Sequence, residues 1–124
     1  MRLFKTKWFA RYARQEKITD ASLRDAISRA ERGLIDADLG GGVIKQRVAR
    51  IGQGRSGGYR VLIGFRPRDR AVFVFAFAKS ERENVSAGEL AAAREIVAIW
   101  LKADAAAIER EIDLRNLVEV KYES

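Results

Sequence analysis

The chain has 124 residues, enough for one hydrophobic core, and carries 24 Lys and Arg against 17 Asp and Glu, a formal net charge of +7. It contains no cysteine and no histidine, which excludes disulfides and thiolate zinc sites and removes the commonest general base and metal ligand; no metal or cofactor is expected. No apolar run approaches the roughly 18 residues that span a bilayer, so the expected setting is the cytoplasm, without membrane contact.

In chain order, a short strand is expected over Arg2 to Phe4. Trp8, Phe9 and Tyr12 recur at helical spacing, and Thr19 with Asp20 opens a second helix whose apolar stripe is Leu23, Ile27, Ala30 and Leu34. These two helices are expected to form a hairpin. Gly40, Gly41 and Gly42 end the helical part, and three strands follow, Val43 to Arg50, Tyr59 to Arg66 and Arg70 to Ala78. Pro67 fits the second position of the turn between the last two, because its fixed φ suits that place. In the third strand both alternating sets are apolar, Phe73, Phe75 and Phe77 on one face and Val72, Val74 and Ala76 on the other, the pattern of a strand covered on both sides.

The first strand alternates differently: Ile44 and Val48 share one face, Lys45 and Arg47 the other. In the second, Tyr59, Val61, Ile63 and Phe65 alternate with Arg60, Leu62, Gly64 and Arg66, which places Tyr59 in the core and brings Arg60 to the surface of Lys45 and Arg47. Past the sheet, Ser86 and Glu89 form a capping box before a helix with Leu90, Val97, Trp100 and Leu101 inward. Asp104 restarts a helix through Ile112, and Leu117 to Tyr122 supplies an edge strand. With no linker or repeat, the expected fold is one α+β domain over residues 1–124. A strand and helical hairpin (1–42) pack on a small twisted antiparallel sheet (43–78), followed by C-terminal helices and tail (79–124).

The basic excess lies in the middle. From Lys45 to Arg82 stand Lys45, Arg47, Arg50, Arg55, Arg60, Arg66, Arg68, Arg70, Lys79 and Arg82 against only Asp69 and Glu81, which points to a polyanionic partner. Arg60 sits in a strand expected to be central, where a charge needs an anionic partner from the protein or a ligand. Gly52-Gln53-Gly54-Arg55-Ser56-Gly57 matches the G-x-G-x-x-G pattern, but a strand rather than a helix is expected after it, so the helix dipole that binds a pyrophosphate is missing. Asp36, Asp38, Glu81 and Glu83 read as solvated charge.

Three segments, Lys45-Gln46-Arg47-Val48-Ala49-Arg50, Arg55-Ser56-Gly57-Gly58-Tyr59-Arg60-Val61, and Val72 through Ala78 with Lys79-Ser80-Glu81-Arg82, together resemble the RelE branch of the RelE/ParE toxin superfamily. The stretch Gly52-Gln53-Gly54-Arg55-Ser56-Gly57-Gly58-Tyr59-Arg60 looks most like HigB-like members. The resemblance implies a toxin that enters the ribosomal A site and cleaves mRNA by attack of a ribose 2′-hydroxyl on the adjacent phosphate, without metal. It also implies a cognate antitoxin, of helix-turn-helix type in HigB-like pairs. On this likeness Lys45, Arg47 and Arg60 are the catalytic candidates, and Arg50, Arg55, Lys79 and Arg82 the RNA- or phosphate-binding ones. Ser80 stands where RelE itself has an arginine and Ser86 where it has a catalytic tyrosine, so the resemblance supplies no general base. Two other functions share the fold: a ParE-like inhibitor of DNA gyrase, and an inactive member kept as an antitoxin-bound regulator.

Overall fold

Thr6 and Thr19 begin the two N-terminal helices in the same way, each hydroxyl accepting the amide three residues on, from Phe9 (3.2 Å) and Ser22 (3.1 Å). The computed structural model describes residues 1–50 and 54–121, with side chains for all of these except 54–56. Strand β1 (Arg2–Thr6) leads into α1 (Lys7–Glu16), which Lys17 stops in the left-handed region at φ 58°, and α2 (Asp20–Glu31) follows. Strands β2 (Ala37–Gly40), β3 (Val43–Arg50), β4 (Gly54–Arg66) and β5 (Arg70–Ala78) come next, then α3 (Ala87–Lys102), α4 (Ala105–Asp113) and β6 (Leu117–Glu119). Among the described residues no helix is long and apolar enough to cross a membrane.

The strands form one six-stranded sheet in the order β2-β3-β4-β5-β1-β6. β1 runs parallel to β5, with Phe4 beside Val72, so the sheet is mixed and not antiparallel as expected. Pairing between strands so distant in the chain leaves no trace in local periodicity. β2, β1 and β6 all join from outside the central segment, and β2 was not expected at all. The α1 and α2 helices take their places from different strands, α1 over β5 and α2 over β3, so the sheet rather than mutual hairpin packing organises them. Leu34 lies beyond the end of α2 and is 58% exposed; it does not extend the inner stripe.

Two cores flank the sheet. Phe9, Leu23 and Ile27 meet Ile44, Val48, Tyr59, Val61, Ile63 and Phe73 on one side; on the other, Ala93 and Val97 of α3 and Ile108 of α4 meet Phe4, Val43, Leu62, Val72 and Val74. Each large apolar side chain buried this way contributes about 1.5–3 kcal/mol. Along β5 the expected shared face of Phe73, Phe75 and Phe77 is broken. The β4 register steps from Ile63↔Phe73 to Leu62↔Phe75, so Val74 is an extra residue, and the bulge turns Phe75 towards the α3 side while Ala76 and Ala78 replace it beneath α1. Beyond Phe73 no β1 residue pairs with β5, and Trp8 of α1 stacks there on Phe75, ring centroids 5.0 Å apart. In the β4–β5 turn, Pro67 is followed by Arg68 at φ 65° and Asp69 N–H donates to Arg66 O (3.1 Å), the arrangement of a type II turn.

Glycine fixes two close approaches. A Cβ on Gly64 would lie 2.9 Å from a Val97 methyl, so the close seat of α3 on β4 there requires glycine, and one on Gly58 would lie 2.1 Å from the Val48 carbonyl oxygen, where β4 carries extra residues between its pairings with Val48 and Arg50. Gly58→Ala is therefore expected to lower stability by about 1–3 kcal/mol through overpacking against backbone. Gly88→Ala, in the open first turn of α3, is expected to be neutral or to raise stability by up to about 1 kcal/mol. Urea midpoints of the two variants test the contrast.

Candidate active site

On β3 the side facing α2 is taken by Ile44, Gln46 and Val48, so Lys45 and Arg47 emerge on the opposite surface. There Arg47 stands directly across from Arg60, and Arg60 directly across from Phe77 of β5. Helix α3 covers the same surface only at its far end, where Val97 rests on Gly64 and Leu101 on Gly42. The uncovered half holds a recess of ≈ 290 Å³ lined by Asp36, Lys45, Arg47 and Arg60. Alternation thus brings together the three residues it was expected to bring together.

Each group is held. Lys45 Nζ donates to Asn84 Oδ1 (3.1 Å), just past the β5 exit. Arg47 N–H donates to Asp36 Oδ2 (2.7 Å) and its guanidinium lies 3.4 Å from Asp36 Oδ1, while Arg29 of α2 donates to the Arg47 carbonyl from beneath. The Asp36 N–H in turn donates to Gln46 Oε1 (2.8 Å), and Gln46 Nε2 donates to the carbonyls of Ala26 (2.9 Å) and Leu34 (3.1 Å). Gln46 is 0% exposed. Its three bonds anchor the segment carrying Asp36 to the core, because a buried amide left without partners would cost about 1–3 kcal/mol. Arg60 differs from its neighbours: its Nη1 is buried and has no acceptor among the described residues. A donor so placed suits an anionic ligand.

Asp36, Gln46 and Asn84 escaped the sequence reading. Asp36 was expected to be solvated; instead it is two bonds into the site, and its side chain is 23% exposed. The available signal was Gln46, a polar residue at a position whose alternation demanded an apolar one. The remaining basic candidates do not gather at the recess. Arg50 lines a separate recess with Gln15, Glu16 and Lys17. Lys79 follows β5 with its N–H bonded to Gly58 O (3.0 Å). Arg82 lies over the Phe77 ring at 4.8 Å and forms a two-pronged pair with Glu89 at 2.7 and 2.8 Å. The Arg55 side chain, with Gly52 and Gln53 of the glycine motif, lies outside the described residues; from Gly54 onward the chain is strand, not helix.

Neither described phenol reaches the recess. Tyr59 is buried on the opposite face, as expected, and donates to Glu16 Oε1 (2.9 Å); burial, then that hydrogen bond, push its pKa up. Tyr12, edge-on to Tyr59, is pushed up to about 12, first by burial and then by Glu16. Ser86 serves as the α3 cap, its Oγ accepting the Glu89 N–H (3.1 Å).

The protein-family model described as "RelE toxin of RelE / RelB toxin-antitoxin system" matches residues 1–120. Part of the chain is also similar to a signal recognition particle protein of Synechococcus elongatus, 32% identical over 60 residues. That likeness takes in 48% of this chain and 12% of the length of the cyanobacterial protein.

Glu89 answers both the cap and Arg82, and its carboxyl is lowered from 4.5 to about 2, chiefly by the Arg82 guanidinium and then by the Ser86 N–H. A carboxyl lowered in the folded state adds stability that is complete above the unfolded value and is lost as pH falls from about 4.5 towards 2. Melting temperature is therefore expected to fall across that window, and Glu89→Gln to flatten the fall while lowering stability near neutrality. Thermal unfolding followed from pH 7 to 2 on both proteins tests it.

Proposed function

The chain belongs to the RelE toxin family, and from that footing we propose that it is the toxin of a toxin–antitoxin pair and stops translation by cutting mRNA in the ribosomal A site. The observation that supports this reading is the convergence of Lys45, Arg47 and Arg60 on one open half-sheet, with a buried Arg60 nitrogen that has no acceptor among the described residues. In-line attack of a ribose 2′-hydroxyl on its phosphate gathers negative charge on the non-bridging oxygens. Two guanidiniums and an ammonium that line one recess stabilise that charge with little reorganisation. With so few groups, substrate positioning must supply much of the acceleration, which is the reason for assigning the ribosome rather than free RNA as the substrate's carrier.

An unchecked mRNA-cutting enzyme stops its own cell, so a cognate antitoxin belongs to the reading. A helix-turn-helix partner, as in HigB-like pairs, with an acidic segment directed at the basic half-sheet, meets the +7 charge. Lys79 and Arg82 flank this surface as further phosphate contacts, with Arg82 exchanging Glu89 for RNA.

Purified protein is expected to cut a transcript on programmed ribosomes and hardly at all when the same transcript is free. Arg60→Ala is expected to lower the cutting rate about 10²–10³-fold, and Arg60→Lys to remain impaired because an ammonium cannot form two parallel bonds to phosphate. Its unfolding free energy should change by only about 1 kcal/mol or less, since Arg60 forms no ion pair among the described residues. Equal cutting of free and ribosome-bound RNA, or an Arg60→Ala variant that is folded and fully active, overturns the assignment.

A further inference from the structure

The proposed reaction needs a group that takes the proton of the 2′-hydroxyl, and the recess narrows the choice. The chain has no histidine. Tyr12 and Tyr59 pack on each other and on the opposite side of the sheet. Guanidiniums stay protonated at any physiological pH, which removes Arg47 and Arg60. Lys45 Nζ is engaged as a donor to Asn84 Oδ1 at 3.1 Å, and an ammonium offers three donors and no acceptor. Of the four residues lining the recess, this leaves Asp36.

We propose that Asp36 is the catalytic base of this site, taking the 2′-hydroxyl proton as O2′ attacks phosphorus, with Lys45 as the acid that protonates the leaving oxygen. The assignment rests on the mRNA-cutting reading above. The O2′–H bond breaks towards an Asp36 carboxylate oxygen, the O2′–P bond forms, and the P–O5′ bond breaks with its electron pair on O5′. That oxygen takes a proton from the Lys45 ammonium, leaving a 2′,3′-cyclic phosphate and a 5′-hydroxyl, while Arg47 and Arg60 hold the non-bridging oxygens. Nothing beyond the RNA and these side chains is consumed.

The carboxylate is built for such a task. One oxygen accepts the Arg47 N–H at 2.7 Å and the other has only a 3.4 Å approach from the Arg47 guanidinium, so acceptor sites remain on both. Its backbone is fixed from below by the fully buried Gln46. A carboxylate needed only to balance charge would not require that anchoring, whereas a proton acceptor must be placed to within a few tenths of an ångström.

The test uses ribosomes programmed with mRNA whose A-site codon carries either the ordinary linkage or a 5′-bridging sulfur, a leaving group that needs no acid. Asp36→Asn, which keeps an oxygen for the Arg47 N–H, is expected to cut the ordinary linkage at least about 10²-fold more slowly in single turnover. It should stay slow on the sulfur linkage and bind ribosomes carrying a 2′-deoxy A-site codon as tightly as the wild type. Lys45→Ala should be slow on the ordinary linkage and recover on the sulfur one. Asp36→Glu, which keeps the base one methylene displaced, should retain more activity than Asp36→Asn, and thermal unfolding shows whether both are folded. Near wild-type cutting by Asp36→Asn overturns the proposal. So do recovery of Asp36→Asn on the sulfur linkage, equal losses in the Asn and Glu variants, or a loss of ribosome affinity that matches the loss of rate. If the wild type cuts neither linkage, the parent reading falls, and this assignment with it.

Discussion

Arg47 and Arg60 face each other across neighbouring strands, and the protein's architecture follows from keeping them there. Like charges directly opposed on a sheet repel by a few tenths to about 1 kcal/mol. The same two strands bury Ile44, Val48, Tyr59 and Val61 on their other side, each contributing about 1.5–3 kcal/mol. The apolar face therefore wins by a wide margin. Because a one-residue slip would turn every side chain over, that face also fixes which surface the arginines occupy. The charges are concentrated in the middle of the sheet, over a buried core.

The helices divide the two surfaces unequally. Beneath, α1 and α2 cover β3, β4 and β5; above, α3 lies over Gly64 and Gly42 and leaves the other half to Lys45, Arg47 and Arg60. What separates a working cation from a structural one here is its partner. Arg29 donates to the Arg47 carbonyl and pairs with Asp25, and Arg70 donates to the carbonyls of Trp100 and Ala103. Among the described residues, Arg60 has one buried nitrogen without any such bond. Basic residues do two jobs in this chain, closing helix ends onto the sheet and, in the recess, facing outward.

Much of this was legible in the sequence where a single local rule decides. The bounds of β3 and β5 and the shared face of Lys45, Arg47 and Arg60 follow from period-two alternation, and the Ser86 and Glu89 cap from its spacing. The rest depends on pairings that local rules do not contain. β2 is four residues of Ala, Asp, Leu and Gly, too short and too poor in β-formers to register, and Asp36 enters the site only because β2 pairs with β3. Phe75 was assigned to the wrong side because the bulge at Val74 resets the alternation midway along β5. Glu89 was recognised as a cap, yet the same carboxylate also holds Arg82, and spacing shows only one of two partners.

The position of β1 bears on how the molecule is made. Phe4 lies between Val72 and Glu119, so β1 has both neighbours far downstream in the chain. β3, β4 and β5, by contrast, are joined in sequence and can pair through short loops with little loop-closure entropy, whereas seating β1 closes most of the chain. The meander that bears the arginines can thus assemble while β5 still exposes the edge that β1 will cover. The charges can come into register before β1 is seated, and a partner strand offered to that open edge would compete with β1.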